Sequence, residues 1–170
     1  LKQRAESYEE LGLLDNAISD MTVALENSKG DEVAYNHTVR SRIYKTAGKY
    51  EEALKDIEVF IERFPTRSYG YSMRGSLKEQ MGDRDGALED YNEGISMNPD
   101  YAYLYLRRGK LYSQMDINDL AEQDFQKLIQ IDTTVESSSC RNYGLLFQMK
   151  YEEAFEWSDK IIEAEPYDPV

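Results

Sequence analysis

Small and large apolar residues follow a helical spacing in this chain, most clearly in the segment of residues 69–99. Ala87, Tyr91 and Ile95 lie four residues apart, which places them on one face of a helix. Gly82 can take the left-handed conformation that ends a helix, and Pro99 cannot continue one. The pattern therefore predicts two helices that are joined at Gly82 and stopped before Pro99.

The two predicted helices carry small residues where they are expected to touch. Helix A spans about residues 69–81, and helix B follows Asp83 and ends near Met97. We expect the Asp83 side chain to cap helix B, because aspartate accepts hydrogen bonds from the first free N–H groups of a helix. Gly75 on helix A and Ala87 on helix B are small enough for close packing.

The same pattern returns at an interval of 34 residues. Alanine stands at the equivalent positions 53, 87 and 121, and tyrosine stands at positions 35, 69 and 103. A period in the low thirties is typical of helix-turn-helix repeats that stack on one another. The sequence predicts five such units, near residues 1–33, 34–67, 68–101, 102–134 and 135–168, within a single domain of residues 1–170.

The recurring residues resemble the tetratricopeptide repeat (TPR) family, in which small, turn-forming, aromatic and proline residues follow a fixed order. In the third unit these residues are Gly75, Gly82, Ala87, Tyr91, Gly94 and Pro99. In the second unit they are Ser41, Tyr44, Gly48, Tyr50, Ala53 and Pro65. The fourth unit keeps Gly109, Tyr112, Ala121 and Phe125. There, Asp116 replaces the turn glycine and Thr133 replaces the proline.

The resemblance implies an all-α fold, a right-handed superhelical α-solenoid of TPR helix-turn-helix repeats whose A helices line a concave groove. Proteins of this family usually bind peptides or protein segments, and catalysis is rare among them. The resemblance thus implies a non-enzymatic protein–protein interaction module without a cofactor. A structural assembly role, in which the stack self-associates or joins a larger complex, stays open as the alternative.

Composition narrows the class of partner. The 170 residues include 20 basic and 33 acidic ones, and the net charge of −13 argues against binding to nucleic acid or to an anionic membrane surface. No apolar run approaches the length of about 18 residues that crosses a bilayer, so membrane insertion is not expected. Because the chain opens at Leu1 inside a predicted helix, we expect residues upstream, and the compartment stays open, cytoplasmic or exported.

Basic residues concentrate on the predicted A helices, and acidic residues concentrate on the B helices. The A-helix cations of units two to four are Arg40, Arg42, Lys45, Arg74, Lys78, Arg107, Arg108 and Lys110. Two interpretations remain open. These cations either pair with acids of the B helices or form a positive groove for an acidic peptide.

Helix phase selects the residues that are expected to face the groove. The candidate peptide-binding residues are Tyr35, Arg42, Lys45, Tyr69, Met73, Tyr103, Arg107 and Lys110. The three tyrosines either contact a ligand or pack between units as structural aromatics. Some family members clamp the carboxylate tail of cytosolic chaperones with lysine, asparagine and arginine at set positions, and no register of this chain supplies that set.

Other candidate chemistry is sparse. His37 is the only histidine, which excludes a metal cluster built from several histidines, and we expect it to be structural. Cys140 is the only cysteine, which excludes an internal disulfide and a cysteine zinc site. No metal and no cofactor are predicted.

The last predicted helix carries an apolar face. Its residues are Phe155, Trp157, Ile161 and Ile162. Repeat stacks normally end with a helix that covers such a face. We therefore expect either further chain after Val170 or self-association through the C-terminal repeat.

Overall fold

The structure, a computed structural model, describes residues 1–131, which form eight α-helices and no β-strand. The helices are α1 (Lys2–Glu10), α2 (Leu14–Asn27), α3 (Asp31–Thr46), α4 (Tyr50–Arg63), α5 (Ser68–Gln80), α6 (Arg84–Met97), α7 (Ala102–Gln114) and α8 (Asn118–Ile131). The odd-numbered helices are the predicted A helices and the even-numbered ones are the B helices. The prediction of an all-α helical-repeat fold is confirmed, and the fifth predicted unit, 135–168, lies outside the described residues.

The chain divides into two compact units, Leu1–Asp90 and Tyr91–Val170. In the first unit, α1 packs on α2, α2 on α3, α3 on α4 and α4 on α5. In the second unit, α7 packs on α8. The boundary between the two units falls within α6. The expectation of a single domain over residues 1–170 stays a prediction.

The repeated alanines lie at the centres of the apolar cores. Ala17 and Ala53 are fully buried in two separate clusters of the first unit, and Ala121 is fully buried in the cluster of the second. Ala87 is also fully buried, as its repeat position predicts. A larger side chain at these positions would force two helices apart, because protein interiors are close-packed. An alanine at every 34th residue therefore marks where the two helices of a repeat are in close contact.

The turns between A and B helices share one backbone conformation. Gly12, Gly48 and Gly82 have φ angles of 73°, 72° and 84°, and Asp116 takes the same left-handed conformation with φ 60°. In each turn the next residue donates its N–H to a carbonyl five residues back, as from Ile117 to Tyr112 at 2.9 Å. This pattern closes the A helix as a Schellman motif, which normally calls for glycine. The Asp116 noted in the sequence thus occupies the glycine conformation without being glycine.

The predicted cap of helix α6 is present. The backbone N–H of Gly86 donates to Oδ1 of Asp83 at 3.0 Å. Asp83 immediately precedes Arg84, the first residue of the helix, so its carboxylate satisfies a donor that has no partner within the helix. This cap fixes where the third B helix begins.

Candidate functional site

In each of the four described repeats, one arginine of the A helix is hydrogen-bonded to an aspartate of the B helix that follows it. In each case the aspartate stands 16 residues after the arginine. The pairs are Arg4 with Asp20, Arg40 with Asp56, Arg74 with Asp90 and Arg108 with Asp124. In the second of these pairs, Nε and Nη2 of the arginine donate to the two carboxylate oxygens at 2.7 and 2.8 Å. This two-point geometry fixes the guanidinium plane as well as its position.

The aspartates of these pairs are buried, and their charge is neutralised where they lie. Asp56 is 4% exposed and Asp90 is 2% exposed. The hydrogen bonds with Asp56 raise the pKa of Arg40 above its usual value and outweigh the opposing effect of burial. The Arg40 guanidinium also lies 5.6 Å from the centre of the Tyr44 ring, a cation–π contact. These arginines hold each A helix against its B helix, so the pairing interpretation is correct for them.

Two further side chains join these pairs. Nδ1 of His37 lies 2.7 Å from Oδ1 of Asp56, on the same carboxylate that binds Arg40. Nζ of Lys78 lies 3.0 Å from Oδ2 of Asp90. Both residues are thereby part of the A–B contact, which agrees with the structural role expected of the single histidine. A buried carboxylate with several donors is stable because its lone pairs are used.

A second class of A-helix cation has contacts along neighbouring A helices. Nη1 of Arg42, on α3, lies 2.6 Å from Oε2 of Glu9, on α1. Nζ of Lys45, also on α3, lies 3.1 Å from the Ser76 hydroxyl on α5. We call these residues, together with Thr46, whose hydroxyl lies 3.5 Å from Glu9, the polar face of the first unit. The Arg42 side chain is half exposed and that of Glu9 is 12% exposed, so a carboxylate is already bound at this face.

The candidate aromatic residues of the first unit meet around Phe60. The rings of Tyr35 and Tyr69 lie edge-on to Phe60, with centroids 5.6 and 5.8 Å away. Both tyrosines remain partly exposed, at 42% and 45%. Met73 is partly buried against the core cluster that contains Phe60 and Leu77. Tyr35 and Tyr69 therefore each pack on the core with one part of the ring and leave another part open to solvent.

The candidate residues of the second unit have different neighbours. Tyr103 is 36% exposed, and its ring centroid lies 6.1 Å from that of Tyr101. Nε of Arg107 lies 3.5 Å from the hydroxyl of Tyr91, the limit of a hydrogen bond. Lys110 is half-buried on the same helix. The structure thus places all three on α7.

Sequence reasoning missed the residues that complete these groupings. Glu9 was not recognised as the partner of Arg42, although both lie on A helices of adjacent repeats. Phe60 and Phe64 were not recognised as the rings on which the tyrosines pack, although they are four residues apart just before Pro65. An aromatic pair at that spacing before a proline is a usable signal, because it marks one face at the end of a helix.

Within residues 1–131 the structure offers no group of three or more histidine, cysteine, aspartate or glutamate side chains arranged to hold a metal ion. Over the same range, no helix combines the length and apolar character that crossing a bilayer requires. Cys140 and the apolar face of Phe155, Trp157, Ile161 and Ile162 lie outside the described residues. The expectations for these residues stay predictions.

Two family models match the sequence. A model described as TPR repeat matches residues 75–116, and a model described as tetratricopeptide repeat matches residues 102–134. A search of curated proteins finds no match. The matched segments overlap and together span residues 75–134, which is most of the third predicted unit and the whole of the fourth.

Several solved structures have a similar fold. In three of them the match with this chain covers most of the other protein's length. A thermophilic TPR protein in Thermus thermophilus is 23% identical, with a TM-score of 0.69, over 98% of this chain and 91% of that one. The TPR2B domain of yeast Sti1 in a complex with pHsp70 is 20% identical, with a TM-score of 0.61, over 72% and 96%. YrrB, a TPR protein with an unusual peptide-binding site, is 17% identical, with a TM-score of 0.57, over 97% and 84%. At these identities the likeness establishes the fold.

Proposed function

Because this chain belongs to the tetratricopeptide-repeat proteins, we propose that it is a non-enzymatic interaction module whose A-helix surfaces bind a protein or peptide segment with acidic side chains. The contact residues of this proposal are the candidate set derived from the sequence. In the first unit they are Tyr35, Arg42, Lys45, Tyr69 and Met73, and in the second unit they are Tyr103, Arg107 and Lys110.

The pair of Arg42 with Glu9 is the observation that carries the proposal. Its partner is a carboxylate of another A helix, so the arginine is directed along the A-helix surface instead of towards a B helix. The half-exposed guanidinium of Arg42 still has solvent access beside Glu9, and a guanidinium has enough N–H donors to bind a second carboxylate from a ligand. The surface that holds Glu9 is therefore suited to hold an acidic side chain of a partner.

Charge distribution supports the same proposal. The protein has a net charge of −13, so an acidic ligand is repelled by most of its surface. Lys45 and Arg42 stand one turn apart on α3 and offer a local positive region to such a ligand. We expect association to weaken as salt is added, because exposed charges are screened beyond about 10 Å at 0.1 M salt.

Two of the similar structures agree with peptide binding as the function. One is a complex of a TPR domain with pHsp70, and the other is a TPR protein with a peptide-binding site. Neither identifies the partner of this chain. The ligand is defined here by its chemistry alone, an acidic peptide or protein segment.

Reversing the charge on the proposed contact residues tests the proposal. Arg42→Glu combined with Arg107→Glu should weaken binding of an acidic peptide library by at least about thirtyfold, which corresponds to about 2 kcal/mol. Fluorescence anisotropy with Glu-rich peptides and with matched Gln-rich peptides measures the effect. Lys55→Glu combined with Arg84→Glu is the matched control, since these cations lie on B helices and change the net charge equally.

The alternative function, structural assembly, predicts different results in the same experiments. If self-association is the function, sedimentation velocity will show concentration-dependent oligomers, and the Arg42 and Arg107 variants will bind partners as well as the unmodified protein does. If the two charge-reversed proteins bind equally to the acidic peptides, the A-helix surfaces are not the binding site and the proposal is wrong.

A further inference from the structure

Four aromatic side chains meet at one edge of the first unit, where α4 ends and α5 begins. We call Tyr35, Phe60, Phe64 and Tyr69 the edge cluster. Phe60 is its base, only 1% exposed, and its ring centroid lies 5.2–5.8 Å from those of the other three. The centroids of Tyr35 and Phe64 lie 5.4 Å apart. The rings therefore support one another, so little side-chain entropy is left to lose on binding.

The edge cluster keeps a solvent-facing side. Tyr35 is 42% exposed and Tyr69 is 45% exposed, although each touches Phe60 with its ring. Among the described residues, neither tyrosine hydroxyl has a hydrogen-bond partner. Two rigid rings with available hydroxyls present apolar area together with hydrogen-bonding capacity, the combination that tyrosine supplies at interfaces.

The backbone fixes the position of Tyr69. Gly70 lies so close to α4 that a Cβ there would come within 2.7 Å of Ile61 Cγ1 and 3.0 Å of Phe60 Cδ1. Only glycine allows α5 to approach at this point, and the approach sets Tyr69 on Phe60. The edge cluster is thus a built feature of the helix packing.

Two arginines border the edge cluster, and they differ in their partners. The guanidinium carbons of Arg63 and Arg67 both lie 5.8 Å from the centre of the Phe64 ring. Arg63 is also paired with Asp31, at 2.6 Å. Arg67 is exposed, and within the part of the chain that the structure describes no carboxylate pairs with it. An arginine held against a ring has a restricted side chain and still offers its N–H groups to a carboxylate.

We propose that the edge cluster and Arg67 form a docking surface for an extended segment of a partner protein, in which an apolar side chain lies on Tyr35 and Tyr69 and a nearby Asp or Glu binds Arg67. Charge complementarity selects this occupant, because Arg67 is a cation without a carboxylate partner among the described residues of a protein of net charge −13. A second copy of the chain would bring the same negative charge and is disfavoured by repulsion. The inference rests on the proposed function in that the ligand is a peptide segment and Tyr35 and Tyr69 are among its contact residues. It adds an apolar side chain of the ligand on those two rings and a carboxylate contact at Arg67, apart from the polar face.

Nuclear magnetic resonance of the full chain with short synthetic peptides tests the inference. The peptides are Ser/Gly sequences that contain one Leu and one Glu a few residues apart, with control peptides in which Leu is replaced by Ser or Glu by Gln. We expect amide shifts at residues 35, 64, 67 and 69 only when both Leu and Glu are present. Arg67→Glu should weaken this binding at least tenfold, and Arg84→Glu, an equal charge change on an exposed site of α6, should leave it unchanged.

The variants separate this inference from the proposed function. Arg42→Glu should leave the shifts at the edge cluster intact, because the polar face is a different contact point. Replacing Tyr69 with Ala would alter the packing on Phe60 as well as the surface. Arg67 is exposed, so Arg67→Glu is the variant that decides the outcome. The inference is overturned if no peptide shifts these amides, if the Gln peptide binds as well as the Glu peptide, or if the amides shift with protein concentration alone, which would make a second copy the occupant.

Discussion

Arg40 on α3 binds Asp56 on α4 through two hydrogen bonds, of 2.7 and 2.8 Å, and the same pair recurs in each of the four described helix pairs. The arginine always precedes the aspartate by 16 residues, across the A–B turn. A two-point contact at a fixed separation permits one register between the two helices. The pairs thus contribute to specifying which faces of the helices meet.

Removing the arginine should destabilise the fold more than its position near the surface suggests. Arg40→Ala leaves Asp56, which is 4% exposed, with a poorly compensated charge, and we expect a loss on the order of 3 kcal/mol in the free energy of unfolding. Urea denaturation followed by circular dichroism measures the loss. Arg42→Ala is the control, since it breaks the pair with Glu9, which is more exposed, and it should cost less than Arg40→Ala does. Equal losses would show that the buried pair has no special role.

The first pair gives stability a dependence on pH. The hydrogen bond from Arg4 lowers the pKa of Asp20 below its usual value. A carboxyl group with a lowered pKa stabilises the fold above its unfolded pKa of about 4, and that contribution is lost as the pH falls through the lower folded pKa.

The difference in melting temperature between the unmodified protein and Arg4→Met measures this contribution. It should be constant above about pH 5 and shrink progressively below about pH 4. A difference that grows on acidification would contradict the assigned sign.

Asp116 should be a site where glycine stabilises the protein. Its φ of 60° is the conformation that Gly12, Gly48 and Gly82 adopt at the equivalent turns. Side chains disfavour this conformation, so we expect Asp116→Gly to raise the free energy of unfolding by about 0.5–1 kcal/mol.

The reverse exchange is the matched control. Gly48→Asp should destabilise by a similar amount, although a Cβ at Gly48 would meet no atom within 4 Å. Thermal melting of both variants would show opposite shifts if backbone conformation is the cause. Shifts of the same sign would contradict backbone conformation as the cause.

The sequence was sufficient for those features of the fold that depend on local or repeated chemistry. Glycine and proline set the helix ends, and alanines at 34-residue spacing marked the helix contacts, because each acts through backbone conformation or size alone. The roles of the arginines were harder to separate. Arg40 and Arg42 stand two residues apart on α3, and only the packing of α3 against its neighbours decides that the first points to Asp56 and the second to Glu9.

A repeated separation in the sequence does, however, contain part of that answer. An arginine and an aspartate 16 residues apart occur at the same place in four successive units, and this recurrence of position within one chain marks a contact. The edge cluster repeats only in part: its tyrosines recur at the 34-residue interval, but Phe60 and Phe64 have no aromatic equivalents at residues 94 and 98. Features that occur in one repeat alone depend on tertiary packing and cannot be inferred from the period.

Glu9 should act as an internal competitor for the proposed acidic ligand. Its carboxylate lies 2.6 Å from the guanidinium of Arg42, where a ligand carboxylate would bind. Glu9→Gln keeps the length of the side chain and removes its charge, so Arg42 should become more available. We expect acidic peptides to bind about threefold to tenfold more tightly, which corresponds to about 0.6–1.4 kcal/mol.

Glu10→Gln separates this local effect from a general change in charge. Glu10 is exposed on the same helix, and its replacement by Gln removes the same charge as the Glu9 variant does. Because Glu10→Gln leaves the Arg42 contact in place, its gain in affinity for acidic peptides should be smaller. Fluorescence anisotropy at low and high salt provides the measurement, and the advantage of the Glu9 variant should shrink as salt screens the contact. If Glu9→Gln binds acidic peptides no better than Glu10→Gln does, Arg42 is not a contact for their carboxylates, and the polar face of the first unit has no part in binding them.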